Sequence, residues 1–201
     1  MKKILPFFSY AFHPIFISVF AVLFFFISTT GYFNYETIYL YILQTMVITV
    51  FIPLAVFYLL VNSNKIDSIM VTDVSQRKIP LFVQILLFST LLYWSFREDY
   101  IIELHFFFIG SIISTAVALF LVFYKRKVSL HMLGMASLTV FCISCFIHFG
   151  IKNVYFVSGL ILCNGLVASS RFEMKAHTAT ELTLGYLIGM IPQLLLLFFW
   201  L

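Results

Sequence analysis

The residues best suited to chemistry lie in Ser170-Arg171-Phe172-Glu173-Met174-Lys175-Ala176-His177-Thr178-Ala179-Thr180-Glu181, a polar island between two apolar runs. His177 and Glu181 stand four residues apart, so a helix beginning near Ala176 would put both side chains on one face. A carboxylate in that place holds an imidazole in one tautomer and raises its basicity. Arg171 carries a planar, permanently charged fork that suits a phosphate group. Two further polar clusters precede apolar runs: Asp73, Arg77, Lys78 and Pro80, then Lys127-Val128-Ser129-Leu130-His131. A helix starting there leaves backbone N–H groups unsatisfied, and its dipole favours an anion. Arginine, lysine, serine and two histidines at such helix starts describe a phosphate pocket with a nucleophile and an acid at hand.

Those clusters have to be positioned by apolar elements, which make up most of the chain. Of its 201 residues, 63% are hydrophobic and 10% charged, with a mean hydropathy of +1.08. Soluble domains are about a quarter charged. Seven apolar runs read as membrane spans: 6–28, 39–61, 80–96, 101–124, 129–149, 154–169 and 177–200. The expected fold is all-α, a polytopic transmembrane helical bundle of about six to seven spans in one integral membrane domain. Within it, 1–61 forms an N-terminal two-helix hairpin and 62–201 the core. The run 6–28 follows Lys2 and Lys3, but it is long and aromatic and lacks a small-x-small cleavage site, so it is expected to remain as a span.

The connections alternate between two faces. One takes Lys2, Lys3, Lys65, Arg77, Lys78, Lys125, Arg126, Lys127, Arg171 and Lys175, and the other only Arg97 and Lys152. Positive-inside counting makes the first face cytoplasmic. The same bias accounts for the net charge of +4 without a nucleic-acid partner. All three cysteines sit inside apolar runs and offer no disulfide framework. Gly185 and Gly189 form a G-x-x-x-G pair, and Gly134 with Ser137 is similar; small residues of this kind let helices approach closely.

At the level of motifs, Ser170-Arg171, five residues, His177, three residues and Glu181 resemble S-R-x5-H-x3-D of the phosphatidic acid phosphatase type 2 superfamily, with glutamate for aspartate. Ser129-Leu130-His131 resembles that family's P-S-G-H, with leucine for glycine and no preceding proline. Arg77-Lys78-Ile79-Pro80 resembles K-x6-R-P without the lysine seven residues before Arg77. The order of the motifs agrees, and the resemblance covers about 73–201. It implies a lipid phosphatase in which His177 attacks phosphorus, Glu181 orients it and His131 protonates the leaving alcohol. Arg171 and Arg77 would bind phosphate oxygens, aided by Ser129, Lys127, Lys78 and Ser170. It implies no cofactor or metal, a lipid phosphate as substrate and a bacterial inner membrane as location. Many relatives work on the periplasmic side, against the cytoplasmic face that the lysine and arginine count favours. A homologue that binds or scaffolds a lipid phosphate without turnover is the alternative.

Other polar residues have plainer readings. A seven-helix transporter or proton channel is disfavoured because no ionisable residue falls at mid-span. Cys142, Cys145 and His148 share a helical stripe remote from the clusters, where three ligands on one helix make a poor closed metal site. His105 is interfacial. His13-Pro14 reads as a kink with a locally satisfied imidazole, the alternative being that His13 supports the pocket from behind.

Overall fold

A computed structural model describes residues 5–67, 73–96 and 101–201. Lys2, Lys3 and the Arg97-Glu98-Asp99 triplet lie outside them. The described residues form helices and no strands: α1 (Leu5–Ala11), α2 (Pro14–Ser28), α3 (Tyr35–Met46), α4 (Ile52–Asn62), α5 (Lys78–Trp94), α6 (Ile102–Phe123), α7 (Leu130–His148), α8 (Val154–Glu173) and α9 (Ala179–Leu196). A π-helical turn, Val47–Phe51, joins α3 to α4, and Ser75–Arg77 is a 3-10 turn leading into α5. Pro53 has no N–H to give the carbonyl four residues back, and the wider turn accommodates that defect.

Among the described residues, five helical stretches are long and apolar enough to cross a membrane: Tyr35–Asn62, Ile102–Phe123, Leu130–His148, Val154–Glu173 and Ala179–Phe199. They mark the chain as an integral membrane protein. The count becomes six if α1 and α2 are one broken span, bent by 66°. Seven is therefore too many. The run 80–96 yields α5, whose 17 residues rise only about 25 Å, short of a hydrocarbon core of about 30 Å. The run 6–28 is interrupted because Pro14 forces the residue before it out of helical geometry, and His13 sits at φ −65, ψ 140.

Helix α7 is the axis of the bundle. It is apolar nearly all round, as a helix enclosed on every side must be, and α2, α6, α8 and α9 pack around it. Ile17, Val22 and Phe25 of α2, Leu104 and Phe107 of α6, Val167 of α8 and Leu182 of α9 form one core with Met135 and Phe141 of α7. Helix α1 folds back against α8, where the hydroxyls of Ser9 and Ser170 lie 2.6 Å apart.

The small residues do the expected packing. A Cβ at Gly185 or Gly189 would run into the backbone carbonyls of Ser129 and Leu133, so α9 lies directly on the start of α7. Polar side chains then tie the helices through backbone carbonyls. Ser137 donates to Gly189 O at 3.0 Å, and Gln193 to Phe107 O at 3.0 Å. Ser114 donates to Ile188 O at 2.9 Å. That carbonyl is the one Pro192 leaves without a partner, four residues on.

Candidate functional site

The three polar clusters meet at one end of this bundle, joined by their own hydrogen bonds. Arg77 Nη1 donates to Val128 O at 3.1 Å, linking the start of α5 to the start of α7. Ser129 N–H donates to Glu181 O at 3.1 Å, linking α7 to α9. Lys127 Nζ donates to Ala176 O at 2.8 Å, holding the segment between α8 and α9.

Helix α9 begins at Ala179, three residues later than the spacing suggests, and His177 precedes it. Its N-cap is Thr178, whose hydroxyl accepts Glu181 N–H at 3.3 Å, while Glu181 Oε2 accepts Thr178 N–H at 3.3 Å. The same Oε2 accepts His177 Nδ1–H at 2.8 Å. The capping box thus aims the carboxylate at the imidazole. With Nδ1 engaged, the lone pair resides on Nε2. The His177 side chain is 2% exposed. Its pKa is pushed down from 6.5 to about 4, first by burial, with the charges of Lys127, Arg77 and Arg171 adding to it and the Glu181 hydrogen bond opposing. The ring is therefore neutral at ordinary pH, with its lone pair on Nε2.

Ser170 and Arg171 belong to the last turn of α8, which runs to Glu173, not to a loop before the next helix. A cation suits that end of a helix dipole. Arg171 Nε is buried with no hydrogen-bond partner among the described residues. Arg77 is likewise buried, and burial followed by the charge of Arg171 holds its guanidinium below its usual pKa. The two guanidiniums therefore act on one space.

That space is a cavity of ≈180 Å³. His13, Arg77, His131, Arg171 and His177 line its polar end. The remainder runs between α2, α4, α5, α6 and α7 along mainly apolar residues, among them Val56, Phe57, Val83, Phe88, Phe107 and Leu133. A pocket for a drug-sized ligand is roughly 300–1,000 Å³, so this one suits a smaller group.

Ser129, Lys127, Lys78 and Ser170, also expected at the site, are not among the residues that line the cavity. Ser129 is fully buried and its Oγ accepts Met132 N–H at 3.4 Å as the N-cap of α7. The Ser170 hydroxyl is shared between Ser9 Oγ and Met174 Sδ, 3.8 Å away. Lys78 turns outward, its Nζ 4.9 Å from the Phe123 ring centroid. His131 Nε2 lies 3.0 Å from Ser9 O, to which only an N–H can donate. His13 lies outside the three polar clusters, yet it lines the same cavity. Its Nδ1 accepts Ile15 N–H at 3.3 Å, as expected for a kink, but its ring also meets that of His131 edge to face, 5.2 Å between centroids. At the opposite end, Cys142 and Cys145 are buried, and His148 Nε2 pairs with Glu103 Oε1 at 3.5 Å. His105 Nδ1 lies 2.8 Å from Phe96 O.

No family model, curated protein or solved structure matches the chain.

Proposed function

We propose that the chain is a membrane-embedded phosphatase acting on a phosphate monoester or diphosphate carried by a lipid, as a divergent member of the phosphatidic acid phosphatase type 2 superfamily. The observation that carries this reading is the His177–Glu181 pair at 2.8 Å, with His177 and two arginines lining one mainly apolar cavity. The guanidiniums bind the phosphoryl oxygens, and the lipid chain follows the apolar walls. His177 Nε2 donates its electron pair to phosphorus. The ester P–O bond breaks, its pair stays on the leaving oxygen, and His131, entering the step protonated on Nδ1 as well as on the Nε2 held by Ser9 O, supplies the Nδ1 proton that completes the alcohol. Water then attacks the phosphohistidine and gives a proton back to His131 Nδ1, the P–N bond returns its pair to His177, and inorganic phosphate leaves with the water's oxygen. Stabilising the charge on the equatorial oxygens is the main task. The mechanism calls for no metal or cofactor. The proposed setting is a bacterial inner membrane, with the site on the cytoplasmic face by the distribution of lysine and arginine. Cysteine labelling at positions 65 and 152 from either side of the membrane checks the orientation.

Purified protein releasing phosphate from lipid phosphates in the presence of a chelator, with His177→Ala reducing the rate by at least about 10²-fold, is the expected result. Full activity in that variant would sink the mechanism. One observation favours a second reading. The N–H of His131 is engaged by Ser9 O, which suits a protein that binds a lipid phosphate without turning it over. Binding that depends on Arg171 with no release of phosphate distinguishes it.

A further inference from the structure

Three imidazoles line the polar end of the cavity, and their hydrogen bonds fix which nitrogen each can offer. His177 gives Nδ1–H to Glu181 and keeps a lone pair on Nε2. His131 gives Nε2–H to the Ser9 carbonyl at 3.0 Å. His13 differs from both. A backbone amide only donates, so the 3.3 Å contact from Ile15 N–H makes His13 Nδ1 the acceptor and leaves the proton of the neutral ring on Nε2. Among the described residues that Nε2–H has no hydrogen-bond partner, although the ring lines the same cavity as Arg77 and Arg171. The break in the α1–α2 span holds it there. Pro14 sets His13 in extended geometry, the N-cap fixes its ring, and the rings of His13 and His131 cross at 88°.

We propose that His13 is a third site histidine, donating Nε2–H to an oxygen of the bound phosphoryl group. This rests on the phosphatase reading for its catalytic consequence. It also makes a prediction about ligand binding alone. The phosphoryl group then meets two guanidiniums and one neutral donor, the last brought by a helix outside the three polar clusters.

Two substitutions separate the donor from the cap. In His13→Asn, the side-chain oxygen takes the place of Nδ1, and asparagine is a good N-cap, but the Nε2–H is lost. In His13→Gln, an N–H returns near the Nε2 position while the cap is weakened. The measurements are kcat/KM on lipid phosphates and on p-nitrophenyl phosphate, inhibition and binding by vanadate, and thermal unfolding. His13→Asn is expected to unfold like the parent protein while losing roughly 10²-fold in kcat/KM, the scale for one oxyanion donor, and at least about tenfold in vanadate affinity. His13→Gln is expected to recover part of both. Should H13N match the parent in turnover and vanadate binding, His13 is not a ligand and the phosphatase reading stands. Activity tracking stability, with H13Q worse than H13N, likewise reduces His13 to a cap. If the parent binds vanadate without turnover, the phosphatase reading fails, and loss of binding in H13N still supports the donor. A parent protein that neither binds vanadate nor releases phosphate overturns both.

Discussion

At the residue scale, the placement of His177 has a consequence for pH. Its pKa of about 4 lies below the ordinary 6.5, so the folded ring resists a proton that the unfolded chain takes up. Stability from this group is complete above pH 6.5 and is lost as pH falls from there towards 4. Denaturant titrations of the parent and His177→Gln at pH 7 and pH 5 should show the parent losing more stability on acidification. In the proposed mechanism His177 reacts unprotonated, so the acid limb of kcat/KM attributable to it should fall nearer 4 than 6.5. A limb at 6.5 belonging to this residue would contradict the burial of its ring. Glu181 and Arg171 stand out in the sequence because polar residues are rare in so apolar a chain. His13 does not, since a lone histidine before proline is explained by the kink it makes. The hint was its position inside an apolar run, where an imidazole is costly without polar company; only packing shows that its ring stands against that of His131 in the cavity lining.

At the element scale, what supports the site is α9 lying against α7 and α6 through small residues and carbonyl bonds. Ser114 is the clearest single test, because it serves the Ile188 carbonyl that Pro192 leaves open. Ser114→Ala should lower stability by about 1–3 kcal/mol, the cost of a buried acceptor left unmet, as read from unfolding in detergent. A change below a few tenths would mean that the carbonyl finds another donor. The G-x-x-x-G pair announces this contact in the sequence because only small residues permit it. Helix ends are less legible. Polar Ser170-Arg171 reads as a loop, yet α8 continues to Glu173, since leaving the hydrocarbon removes the demand for apolar residues but not the helix. The mistaken span at α5 has the opposite cause: its composition is apolar enough, and its length is not.

At the scale of the molecule, the cavity joins a cationic end to an apolar passage walled by α4 and α5, whose other sides expose Leu54, Tyr58, Phe82 and Leu86. A chain lodged there should contribute to binding in proportion to its buried length, about 0.8 kcal/mol for each methylene. Val83→Trp narrows the passage. It is expected to reduce kcat/KM for a long-chain lipid phosphate about tenfold more than for p-nitrophenyl phosphate, a difference of roughly 1.4 kcal/mol. Equal losses on both substrates would place the chain elsewhere. The helical bundle is readable from hydropathy alone, whereas the cavity depends on how helices distant in sequence are arranged. The contact between Ser9 and Ser170 carries that distance into the making of the protein. Their separation of 161 positions takes about 8–30 s to translate at 5–20 residues per second. During that interval α1 has no α8 to lie against, and Ser9 and His13 stand without the surface they complete. A nascent chain carrying everything up to α7 therefore lacks the site, which closes only when late helices reach one that entered first.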